Sequence, residues 1–82
     1  MRTRIRELLG ELRKPQGEAS AFPYLPEVIE SLEAMEHSLE APRERRVKMA
    51  GALGRLVTED FAFSESPLGG AILKLADDFA SR

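Results

Sequence analysis

Apolar positions along this chain recur at spacings of three and four, and nowhere alternate for long enough to make a strand. Ile5, Leu8, Leu9 and Leu12 follow i, i+3, i+4, i+7 and predict an amphipathic helix over about 3–14. Thr3 stands where a cap would, and Pro15 with Gly17 marks the stop. Leu25, Val28, Leu32, Met35 and Leu39 form a seam, widened by Ile29, that predicts a second helix over 26–40. Pro26 suits its first position. Pro42 is disfavoured inside a helix because its ring clashes with the carbonyl of Ser38. A break is therefore expected at Ala41, with a third helix over 43–62. A single helix kinked at Pro42 is the alternative.

The third helix looks like the organiser. At about 100° per residue, Leu56, Met49, Leu53, Val57, Ala50, Phe61, Gly54 and Val47 cover roughly half its circumference. A helix lying on a surface shows a narrower stripe, so several neighbours are expected around this one. Glu44, Lys48, Gly51, Arg55 and Glu59 form its solvated edge. Gly54 is expected to admit a close helix neighbour, whereas Gly51 has no packing reason. Ser66 then Pro67 predicts a capped start for a fourth helix over 67–80. Its apolar face is Leu68, Ala71, Ile72, Leu75, Ala76 and Phe79. Gly69 and Gly70 are expected to allow close approach to the third helix.

The sum is a single all-α domain spanning 1–82, a compact antiparallel four-helix bundle-like fold with mostly short connections. The exception is the first connector. It ends in Phe22-Pro23-Tyr24-Leu25-Pro26, whose prolines favour extended backbone before them. Two readings apply. Phe22 and Leu25 close one end of the core with the Tyr24 hydroxyl in water, or Phe22 and Tyr24 dock a partner.

Composition narrows the function more than it identifies it. The chain has 82 residues and no cysteine, which removes disulfides, thiolate nucleophiles and zinc–thiolate sites. It also suits a reducing cytoplasm. No apolar run reaches the roughly 18 residues of a membrane span, and Met1–Leu12 lacks the apolar stretch of a secretory signal. Twelve Lys and Arg against 14 Asp and Glu give a formal charge of −2, without the basic excess of a dedicated nucleic-acid binder.

Catalytic patterns are weak. Glu33 and His37 share a helix face, as do Glu36 and Glu40, but Ala34 breaks the Glu-x-x-His pair that a bundle metal site uses. Ser64, Glu65 and Ser66 lack an orienting third group and oxyanion donors, so capping accounts for the serines. Gly69 and Gly70 open a helix without a phosphate-loop lysine. The expectation is a protein that is not an enzyme and carries no cofactor and no metal.

The run Arg43-Glu44-Arg45-Arg46-Val47-Lys48 is different. Cations at a helix start oppose the macrodipole, so something other than helix stability is expected to hold them there. Three explanations compete: pairing with Glu36 and Glu40, binding an acidic partner or a second copy, and holding a phosphate backbone together with the N-terminal arginines. The preferred reading is a non-enzymatic protein–protein interaction module, an intracellular regulator, adaptor or inhibitor-like protein. Its contact residues would be Arg43, Arg45, Arg46, Lys48, Phe22 and Tyr24, with the acidic face of the second helix as a further contact and a homodimer as one outcome. The alternative is a nucleic-acid-binding accessory protein using Arg2, Arg4, Arg6, Arg45 and Arg46.

Overall fold

The computed structural model describes residues 1–14 and 22–82. The expected stop at Pro15 and Gly17, and the polar connector through Ser20, lie outside the described residues. Within them are five helices and no strand: α1 (Arg2–Leu12), α2 (Leu25–Glu36), α3 (Arg43–Thr58), α4 (Phe61–Ser64) and α5 (Pro67–Ser81). The all-α expectation holds, with one more helix than the pattern predicted and several shifted ends.

Those ends have local causes. α1 starts at Arg2, before Thr3, and no side chain caps it. α2 stops at Glu36 because the chain unwinds well before the proline. His37 still donates to the Glu33 carbonyl, but Ser38 reaches back only to Met35 and Ala41 only to Ser38. Pro42 is extended, with ψ 150°, and serves as the N-cap of α3. The break at Pro42 is therefore real, and the kinked-helix alternative fails. α3 ends at Thr58, whose hydroxyl donates to the carbonyls of Gly54 and Arg55. Asp60 is extended and its carboxylate accepts from the Phe63 amide, so it starts α4 as a separate helix. Ser66 caps α5 as expected: its hydroxyl accepts from the Gly69 amide and donates to the Phe63 carbonyl.

The helices form a closed ring. α1 lies against α2 and α5, and α3 lies against α2 and α5, with the broadest contact between α3 and α5. The α3–α5 pair is antiparallel, since Arg46 near the start of α3 meets Phe79 near the end of α5, and Gly54 meets Leu73. α3 lies against three helices, α2, α4 and α5, as its broad apolar arc led one to expect, while its backbone stays apart from that of α1 and the two meet only through the shared core. Ile5, Leu9 and Leu12 from α1 and Val28, Leu32 and Met35 from α2 fill the centre. They meet Leu53 and Val57 from α3 and Ile72, Leu75 and Phe79 from α5. Each buried side chain of this size contributes on the order of 2 kcal/mol by leaving water.

Two packing expectations need correction. The apolar arc of α3 is narrower than the pattern implied. Ala50, Leu53 and Val57 are buried, but Val47 is 47% exposed and Phe61, carried away on α4, is 77% exposed. The glycines also act differently. Gly69 allows α5 to meet α4 rather than α3, because a Cβ there would stand 1.9 Å from the Phe63 carbonyl oxygen. A Cβ on Gly54 would meet only the Leu73 side chain, at 4.0 Å, and on Gly70 or Gly51 nothing within 4 Å. No helix among the described residues is long and apolar enough to cross a membrane.

Candidate interaction surface

The basic start of α3 divides into two parts. Arg46 turns inward and is 9% exposed. Its Nε donates to the Ala41 carbonyl at 3.0 Å, one terminal nitrogen to Phe79 at 2.9 Å and the other to Arg82 at 2.8 Å. One guanidinium thus ties the α2–α3 turn to the last carbonyls of α5, groups that a helix end leaves without internal partners. A cation there also complements the negative end of the α5 dipole. This accounts for Arg46 without any partner molecule. Its signal was in the spacing: Arg46, Ala50, Leu53 and Val57 follow one periodic face, and residue type obscured it.

Arg43, Arg45 and Lys48 point outward, and none has an ion-pair partner among the described residues. The expected pairing of this run with Glu36 and Glu40 does not occur. Glu36 is taken by α1 instead, through Arg6 Nε at 2.6 Å, and Glu33 by Arg13 at 2.6 Å. Arg4 reaches the other neighbour of α1, pairing with Asp78 of α5 at 2.8 Å. Three arginines of the N-terminal segment therefore pin α1 between α2 and α5. The Arg6 hydrogen bond holds the Glu36 carboxyl below the ordinary carboxylate range, against a smaller opposing effect of desolvation.

These pairings break up the constellations read from sequence. Of Arg2, Arg4, Arg6, Arg45 and Arg46, only Arg2 and Arg45 remain exposed and unpaired among the described residues. Two acids of the α2 face, Glu33 and Glu36, are thereby paired, and His37 lines a small polar hollow together with the Arg6–Glu36 and Arg13–Glu33 pairs. Ser64 donates to the Phe61 carbonyl, and Ser66 is engaged as a cap.

The aromatic segment divides as well. Phe22 is buried, stacked on Phe63 with centroids 4.1 Å apart. Tyr24 is 38% exposed and meets the Phe22 ring edge-on. Phe22 therefore closes the core with Leu25, as the first reading held, and only Tyr24 faces solvent. Sequence periodicity missed Phe61, because it assigned that residue to the apolar arc of a longer α3. Compared with protein-family models, curated proteins and solved structures, the chain matches none.

Proposed function

We propose that this chain is a non-enzymatic interaction module, a small regulator, adaptor or inhibitor-like protein of the cytoplasm. It docks an acidic protein surface on the first turns of α3. The observation that supports this most directly is the set Arg43, Arg45 and Lys48. Each is exposed, none has an internal ion-pair partner among the described residues, and Arg43 and Arg45, in the first turn, oppose the α3 dipole. Positive charge kept there against local helix stability is accounted for by a negative surface elsewhere. Tyr24 and Phe61 add exposed aromatic area of the kind enriched in protein contacts.

The test is capture from native lysate on wild-type chain and on the triple variant R43E/R45E/K48E. The reversal puts acids where the dipole favours them, so the variant should fold at least as well. A nuclease-resistant protein retained by wild type, released by raised salt and lost from the variant is the expected result. Identical retention by both baits defeats the reading. Retention that disappears after nuclease treatment points instead to nucleic acid.

A further inference from the structure

The outward stripe of α3 combines three features that the fold does not use with a half-buried glycine, Gly54, beside Leu73 of α5. Val47 is a large apolar side chain left 47% exposed. Gly51 is an exposed glycine in a helix interior, and a Cβ on it would meet nothing within 4 Å. With Gly54 it lines a shallow, mostly apolar groove along α3 and α5, whose other walls include Val47, Leu73, Ala76 and Ala80 with a single acid, Asp77. Glu44 and Arg55 are exposed, and neither has an ion-pair partner among the described residues.

Their order along the helix is self-complementary. At about 100° and 1.5 Å per residue, Glu44 and Arg55 lie about three turns apart on one side of the stripe. Val47 and Gly54 lie about two turns apart on the other side. Both pairs have their midpoint beside Ala50. A twofold axis crossing α3 there, perpendicular to the helix, lays a second α3 antiparallel on the first. It sets Glu44 against Arg55 of the second copy, and Val47 against Gly54 of the second copy, where no side chain but the edge of Leu73 stands in the way. Each contact is made twice, as an isologous interface requires. Gly51 lies close to the crossing point, where the lack of a side chain lets two helix backbones approach. Lys48 is at the margin, where its stem can run outward to water.

We infer that the outer face of α3 pairs with α3 of a second copy of this chain in an antiparallel homodimer, held by reciprocal Glu44–Arg55 pairs and by Val47 seated over Gly54. A wholly acidic partner would satisfy Arg55 but repel Glu44. A basic one would do the reverse. A surface carrying the same stripe in reverse order satisfies both, and this chain possesses that surface. The proposal concerns a different set of residues from the basic docking site, and its test needs no other protein.

The experiment is sedimentation equilibrium on the purified full chain over a micromolar-to-millimolar range, at low and high salt, with circular dichroism as the control for folding. Wild type, Glu44→Arg, Arg55→Glu and the double variant E44R/R55E are compared. The expected result is a reversible wild-type dimer whose Kd rises about tenfold in either single variant, where two attractive pairs become repulsive. The double variant, with the pair reversed, should return to within about threefold of wild type. A wild-type chain that stays monomeric overturns the proposal. So does a dimer indifferent to the single reversals, or a double variant no better than the singles.

Discussion

Gly69 and Gly51 separate two regions of this molecule. At the α4–α5 junction the chain is packed so closely that a single methyl group on Gly69 would fall 1.9 Å from the Phe63 carbonyl oxygen and 2.8 Å from its carbon. On the outer face of α3 the same methyl on Gly51 would touch nothing. Gly69 lies in the capped first turn of α5, and Gly51 lies in a helix interior, where glycine lowers helix stability by about 1 kcal/mol relative to alanine. The internal structure accounts for the first and leaves the second without a reason. Residues of the second kind are where a contact outside the monomer is worth seeking.

Gly69→Ala is the largest test of that contrast. The atoms in its way are backbone, so α4 and α5 must separate, and the stack of Phe63 on Phe22 would be disturbed with them. A loss of about 3 kcal/mol is expected, the upper end for overpacking. Urea denaturation measures it. A loss below about 1 kcal/mol, within reach of ordinary surface substitutions, would show that the junction is not tightly packed.

Arg46 and Arg45 repeat the comparison with charge in place of size. Arg46→Met removes three hydrogen bonds from a charged donor and strands the Phe79 carbonyl at the end of α5. The expected cost is about 2 kcal/mol. Arg45→Met, one residue earlier but exposed, should change stability by no more than about 0.5 kcal/mol. Equal effects in the two variants would contradict the inward and outward assignment.

How much of this was readable beforehand follows the same division. α5 was legible because every local signal agreed: Ser66 caps, Pro67 fits the first turn, and Leu68, Ile72, Leu75, Ala76 and Phe79 share a face. The Val28–Leu32–Met35 seam and the break at Pro42 were legible for similar reasons. The end of α3 was not, because the Asp60 cap competes with a periodicity that continues through Phe61. At the candidate surface, the outward Arg43, Arg45 and Lys48 were legible as a basic run. The Arg4–Asp78, Arg6–Glu36 and Arg13–Glu33 pairs were not. They depend on where α1 settles between α2 and α5, which no local pattern encodes. Arg46 stood between these cases, legible in its spacing and disguised by its type.

Gly51→Ala sharpens the comparison from the other side. With no neighbour to displace, the added methyl should stabilise the monomer by up to about 1 kcal/mol through helix propensity. The measurement is a urea midpoint at a concentration low enough to exclude self-association. The same substitution should weaken an α3–α3 contact, which sedimentation reads separately. A substitution that raises monomer stability and lowers association would mark a residue held for its outer surface. If it lowers monomer stability, some internal contact at Gly51 has a role, and the contrast with Gly69 disappears.

The smallest effect expected is on the pairs that hold α1. Arg6 lowers the folded-state pKa of Glu36, but the Arg6 side chain is largely exposed and desolvation of Glu36 opposes the shift, so the contribution is modest. Its sign is fixed by linkage. A carboxylate with a depressed folded pKa adds stability above its unfolded pKa, and that stability is lost as pH falls through the folded value. The Arg6–Glu36 contribution should therefore be complete at neutral pH and fade in the acid range, at and below the ordinary carboxylate pKa. Arg6→Ala removes the cause and leaves Glu36 titrating nearer its ordinary value. The urea midpoints of wild type and Arg6→Ala should thus differ at pH 7 and converge on acidification. A gap that stays constant down to full protonation would assign the Arg6 effect to packing of its stem against α2 rather than to its charge.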